Sequence, residues 1–187
     1  MLTPTILSII DLYRCGAVSP VEVAKAILEQ IDAVEPNLNA FVLREEPLKV
    51  LEAATESQNR WRLGKPLGLL DGIPITIKDT ILVAGWPTRF GSKTTADIPS
   101  TEDAPAVARV REAGAIIVGK TTTPEFGWKA VTDSPLTGIS HNPWNIQKTP
   151  GGSSGGAAAA VAADAAFASI GPMREGPFGS LHHFGGL

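Results

Sequence analysis

The stretch "GIPITIKD", Gly72–Asp79, is a short β-rich run that ends in two opposite charges. Isoleucines at 73, 75 and 77 with a threonine between them read as a buried strand over residues 73–78. Downstream, "AIIVG" at 115–119 reads as a second apolar strand. Between them, Ser100-Thr101-Glu102-Asp103 is expected to open a helix carried inward by Ala106, Val107 and Val110 and stopped at Gly114. Strand, helix, strand in that order gives a parallel βαβ unit, so the fold class is α/β.

Upstream of this unit the texture is helical. Ser19-Pro20-Val21-Glu22 supplies a capping serine, a proline at the first helical position and a glutamate at the third. Val23, Ala24, Ile27, Leu28 and Ile31 then recur at helical spacing, and Pro36 is expected to close the run. A second helix is expected over Leu48 to Trp61, with Leu51, Ala54 and Trp61 inward. We therefore divide the chain into a helical N-terminal segment, residues 1–66, and an α/β core portion, residues 67–187, of a single domain. The helical pair is expected to pack on the sheet layer or on a partner subunit.

Composition narrows the function classes. With 187 residues and 43% hydrophobic content the chain can bury a core. A net charge of −3 and the lack of any Lys/Arg run argue against nucleic acid as a partner. A single cysteine, Cys15, excludes an internal disulfide and fits a reducing compartment. No stretch reads as a signal peptide or as a membrane span, so a cytoplasmic protein is expected. Three histidines and one cysteine, none at ligand spacing, give no support for a metal site.

Three motif matches compete for the chemistry. "GAIIVGKT", Gly114–Thr121, fits the phosphate-loop expression letter by letter. Its four middle residues, however, are the expected strand itself, whereas a phosphate cradle needs a bare turn between strand and helix. "GGSSGG", Gly151–Gly156, fits G-x-S-x-G around both Ser153 and Ser154. A nucleophile elbow needs a preceding strand and a later Asp and His; here Gln147-Lys148-Thr149-Pro150 precedes, and no Asp follows Asp164. His141, in "HNPW", reads as a turn residue. Taken alone, the Gly/Ser run is a flexible linker or a binding turn that presents backbone N–H groups at the start of an alanine-rich helix. The third match involves Lys78. It ends an apolar strand, where a lysine is ordinarily solvated; buried beside the Gly/Ser turn, such an amine loses affinity for its proton and takes one from a serine hydroxyl.

Together "GIPITIKD", "GKTTTPEFG", "HNPW" and "KTPGGSSGG", in that order, resemble the amidase-signature hydrolases over nearly the whole chain. The resemblance implies a mixed sheet flanked by helices, truncated here, and hydrolysis of carbon–nitrogen bonds in small-molecule amides by a Ser-Ser-Lys triad without cofactor or metal. Lys78 matches the family's lysine. Ser153 matches its bridging serine, which follows a cis peptide bond after Gly152. Within the family, the A-type component of the amidotransferase that acts on misacylated tRNA is the alternative, although "TPEFGWKAVTDSPLTG" is more similar to the stand-alone amidases. A non-catalytic fragment that serves as an interaction module is the alternative outside it.

The nucleophile is where the chain departs. The family's segment T-D-x-G-G-S-[IL]-R-x-P-A is replaced by "PMREGPFGSLH" over Pro172–His182, which puts Pro177 where the nucleophilic serine belongs. Arg174 and Glu175 stand where oxyanion-hole glycines are expected, and Ser180 comes three residues late. A proline has neither hydroxyl nor N–H, so the chain as written is expected to be inactive. Reading one nucleotide earlier from Pro172, suitable codons give T-D-A-G-G-S-L-R-V-P-A, with serine in place of Pro177. The single codon of Met173 leaves no freedom at that step. A frameshift across residues 172–183 is therefore expected. A sheet cut short also leaves an unpaired edge and uncovered apolar surface, so association into homo-oligomers is expected.

Overall fold

A computed structural model describes residues 4–172. Helices α1 (Ile6–Cys15), α2 (Pro20–Leu38) and α3 (Pro47–Arg62) come first, with strand β1 (Phe41–Arg44) between the second and third. Strand β2 (Pro74–Lys78), helix α4 (Pro105–Glu112) and strand β3 (Ile116–Thr121) follow. A small hairpin of β4 (Asp133–Ser134) and β5 (Gly138–Ile139) precedes helix α5 (Gly155–Ala162) and strand β6 (Ala168–Ile170). The main sheet has the order β1-β3-β2-β6. β2 runs parallel to both β3 and β6, and β1 closes one edge antiparallel to β3, so the sheet is mixed.

The expected βαβ unit is present as β2-α4-β3. β2 and β3 lie at the centre of the sheet and are buried along their whole length, as a strand covered on both faces must be. Ile73, Ile75, Ile77, Ile116 and Val118 form the heart of the core with Val107 of α4 and Ile27 and Ile31 of α2. Each such side chain contributes about 1.5–3 kcal/mol through burial. Helices α2 and α3 pack on each other and on β2 and β3, while α5 packs on β2, β3 and β6.

Helix α2 starts as its sequence dictates. The Ser19 hydroxyl accepts from the Glu22 N–H, and the Glu22 carboxylate accepts from the Ser19 N–H at 2.8 Å. Its end differs from expectation, because the helix runs through Pro36 to Leu38. The proline removes only a bond to the carbonyl of Asp32, and both residues lie on the exposed face of the helix. The helix then stops at Asn39, whose left-handed backbone directs its N–H to the Glu35 carbonyl.

Helix α4 also starts later than the sequence suggests, at Pro105. Ser100 is not free to cap it, because its backbone bonds Gly85 and Trp86. Asp103 is likewise engaged, accepting from the Ala84 N–H at 2.7 Å and pairing with Arg111 at 2.9 Å. Ala106 is exposed rather than inward, while Val107 is fully buried and Val110 packs against the core. The second strand extends beyond Gly119 to Lys120 and Thr121. Strand β1 lies within residues 1–66, read from sequence as helical, and joins the sheet.

Candidate functional site

Lys78 is the last residue of β2, in register with Thr121 of β3, and only 1% exposed. Its Nζ donates to the hydroxyls of Ser153, at 2.8 Å, and Ser154, at 2.9 Å. The structure thus brings together the lysine and the serine that the sequence singled out, across 75 residues. It adds Ser154 on nearly equal terms. The sequence signal for Ser154 was its place at the centre of the second G-x-S-x-G match.

The Gly/Ser run is an ordered turn rather than a linker. The peptide bond between Gly152 and Ser153 is cis. The Thr132 hydroxyl donates to the Gly151 carbonyl at 2.8 Å and accepts from the Gly155 N–H at 2.9 Å, so one buried side chain staples both ends of the turn. From a second side, the buried Thr123 hydroxyl donates to the Ser153 carbonyl at 3.2 Å. The glycines are required by close approach. A Cβ on Gly152 would lie 2.7 Å from the Val131 nitrogen, one on Gly155 2.3 Å from Thr132 Oγ1, and one on Gly156 2.2 Å from Thr122 Oγ1. These glycines face the protein interior rather than an incoming substrate. Gly171 packs over the stem of Lys78, its absent Cβ position being 3.2 Å from Lys78 Cδ.

Beside this cluster lies an ion pair that the sequence reading missed. Lys120 of β3, fully buried, places Nζ 2.7 Å from Asp79 Oδ1 and donates to the Pro87 carbonyl at 2.8 Å and the Thr88 hydroxyl at 2.7 Å. Burial pushes the Asp79 carboxyl up and the Lys120 amine down, and each is opposed by the attraction of its partner. Lys120 and Thr121 are the last letters of the phosphate-loop match. Both sit inside a buried strand, so no bare turn exists there to cradle a phosphate. The available signal was the pairing of an inward lysine in one strand with the aspartate that ends the next.

His141 is a turn residue, with its Nδ1 2.8 Å from the Ile146 carbonyl. Among the described residues no group of His, Cys, Asp and Glu is arranged to hold a metal ion, and no helix is long and apolar enough to cross a membrane. A cleft of about 410 Å³ lies near the carboxyl ends of the central strands, lined by Phe41, Leu43, Asp79 and Arg89 among others; neither Lys78 nor Ser153 lines it. Arg174, Glu175, Pro177 and Ser180 lie outside the described residues.

The arrangement places an amine against two hydroxyls at the mouth of an ordered turn, the elements of serine-based acyl transfer. Comparison with known proteins identifies the family. The profile of the family described as Amidase matches residues 22–172. The chain belongs to the amidase family. It is 45% identical over 162 residues to an acylamidase of Rhodococcus erythropolis, covering 87% of this chain and 33% of that protein. It is 41% identical over 161 residues to a component of the glutamyl-tRNA(Gln) amidotransferase of Salinispora tropica, covering 86% of this chain and 33% of that protein. A crystal structure of an amidase superimposes with a TM-score of 0.83 at 34% identity, over 90% of this chain and 38% of the other. The chain spans about a third of the length of these relatives.

Proposed function

We propose that this amidase-family chain carries the base and the proton relay of a serine amide hydrolase, and that it lacks the nucleophile as written. The observation that supports this most is the buried Lys78 amine, within hydrogen-bond distance of two hydroxyls of one turn. In the proposed reaction a serine hydroxyl at position 177 attacks the amide carbonyl. Its proton passes through the Ser153 hydroxyl to neutral Lys78 and then to the departing amine. Water hydrolyses the resulting serine ester along the same relay. Thr123 and Thr132 hold the turn so that neither serine leaves the amine. Pro177 supplies no hydroxyl, so the sequence as written stops before the first step.

The test compares two chains, the present one and one with residues 172–182 replaced by TDAGGSLRVPA. A fluorophosphonate reagent should label the second chain at position 177 and leave the first unlabelled there. Lys78→Ala in the replaced chain should slow labelling by about 10²–10⁴-fold, the usual contribution of a general base. Lys78→Arg should be as slow, because a guanidinium stays protonated at any usable pH. Labelling at an unchanged rate in either Lys78 variant would remove the base from the proposal. The substrate class we assign is small-molecule amides. Amide transfer within a larger assembly, as the name of the glutamyl-tRNA(Gln) amidotransferase relative suggests, is the second reading.

A further inference from the structure

Lys78 and Asp79 are consecutive, and consecutive residues of an extended chain point to opposite faces of a sheet. The Lys78 amine turns to Ser153 and Ser154, whereas the Asp79 carboxylate turns to Lys120. The parallel ladder runs one residue past β2, since the Asp79 N–H donates to the Thr121 carbonyl at 3.1 Å. The amine and the buried ion pair therefore share one piece of backbone, with the Gly/Ser turn on one face of it and Lys120 on the other.

The pair holds that piece of backbone against two other segments. Lys120 Nζ reaches Asp79 and, in the loop that follows β2, the Pro87 carbonyl at 2.8 Å and the Thr88 hydroxyl at 2.7 Å. The Asp79 carboxylate accepts from the Arg89 N–H at 3.2 and 3.3 Å, and the Asp79 carbonyl accepts from the Phe90 N–H at 3.1 Å. Strand β3 and this loop thus grip Asp79 through its side chain, its N–H and its carbonyl at once. Apolar side chains of the same volume would stabilise the sheet as well as a buried ion pair, or better. They would not fix the rotation of the strand end about its own axis, and that rotation decides where the Lys78 amine lies. A displacement of about 1 Å at a reacting group costs about 10²-fold in rate.

We propose that Lys120, acting through Asp79, is a positioning residue for Lys78: the pair locks the end of β2 so that the amine stays on the hydroxyls of Ser153 and Ser154. Lys120 itself works from the far face of the sheet and takes no part in proton transfer. The inference deepens the amide-hydrolase reading and rests on it only in treating Lys78 as the base.

The test follows the Lys78 amine itself, by NMR of the chain as it exists with isotope-labelled lysine Cε, titrated against pH. In Lys120→Met the Lys78 midpoint should move by about one unit or more towards that of an exposed lysine, about 10.4, a tenfold change in proton affinity as the amine leaves its site. In that variant the unpaired Asp79 carboxylate also draws the proton. The decisive variant is therefore Asp79→Asn with Lys120→Met, which removes one charge of each sign and leaves the net charge unchanged. It should be more stable than Lys120→Met alone, because no buried charge is left unpaired, and still show the shift of about one unit. A role confined to stability would instead restore the midpoint along with the fold. Val107→Ala, fully buried in α4 and away from the pair, should lower stability and leave the midpoint in place. A smaller shift or none in the double variant, or an equal shift in Val107→Ala, would overturn the proposal. The measurement needs no nucleophile, so failure of the labelling experiment at position 177 leaves it intact. An unmoved midpoint likewise leaves the relay through Ser153 untouched.

Discussion

Replacing Lys120 with methionine tests how far the buried Asp79–Lys120 pair holds the centre of the sheet. Lys120 is fully buried and makes three contacts of 2.7–2.8 Å, to Asp79, the Pro87 carbonyl and the Thr88 hydroxyl. Methionine preserves most of the volume, so a cavity contributes little. What remains is a buried carboxylate whose other contacts include the Arg89 N–H at 3.2 and 3.3 Å. Breaking one side of a buried pair costs about 3–5 kcal/mol. Total stabilities of natural domains are about 5–15 kcal/mol, so the variant should lose a large share of its own. Urea denaturation followed by circular dichroism measures the loss. Burial already pushes the Asp79 carboxyl up, and removing the lysine takes away the opposing attraction. A group whose pKa is raised on folding adds stability below its unfolded value, about 3.9 for aspartate, and loses it as the pH rises through the folded value. The deficit of Lys120→Met should therefore shrink as the pH falls from neutral towards that unfolded value. Asp79→Asn combined with Lys120→Met should cost less than the sum of the single changes by about 1–3 kcal/mol. A loss below about 1 kcal/mol, or one that does not change with pH, would refute this account of the pair.

Asp71 makes the opposite pH prediction. Burial raises its carboxyl, but the two bonds from Arg60, at 2.7 and 2.9 Å, and the Leu67 N–H outweigh that and hold it below its ordinary value. Its contribution is present above about pH 3.9 and lost as the pH falls through the folded value, so Asp71→Asn should flatten the acid limb of a stability profile and cost about 2–3 kcal/mol at pH 7. Gly156→Ala should lower the melting temperature, since its Cβ would lie 2.2 Å from Thr122 Oγ1 and 2.7 Å from the Ala40 carbonyl; overpacking of this kind costs about 1–3 kcal/mol, and an unchanged melting temperature would show that α5 shifts freely. Sequencing the encoding DNA across residues 170–187 should reveal, one nucleotide earlier than the present frame, a serine codon opposite Pro177; its absence would make the replacement a true divergence of the site.

The sequence by itself determined what rests on neighbours a few residues apart. The capping box of α2 and its inward face of Val23, Ala24, Ile27 and Ile31 follow from helical spacing and first-turn hydrogen bonds. The parallel β2-α4-β3 unit follows from two apolar runs joined by an amphipathic segment. The resemblance carried by four motifs named Lys78 and Ser153, which the fold brings within 2.8 Å. Only the tertiary structure decided what depends on distant partners. A lysine at a strand end reads as solvated until the Gly/Ser turn, 75 residues later, is seen to cover it. Lys120 reads as a phosphate-loop letter until Asp79 is found beside it. Ser100 reads as a helix cap until its backbone is found bonded to Gly85 and Trp86. The four glycines of one run look alike in the sequence, yet Gly152, Gly155 and Gly156 are fixed by contacts with Val131, Thr132 and Thr122, all from elsewhere in the chain. Hydrogen bonding and helical periodicity are local and leave a pattern in the sequence; burial, and the pairing of charges within it, are set by whichever segments the fold brings together.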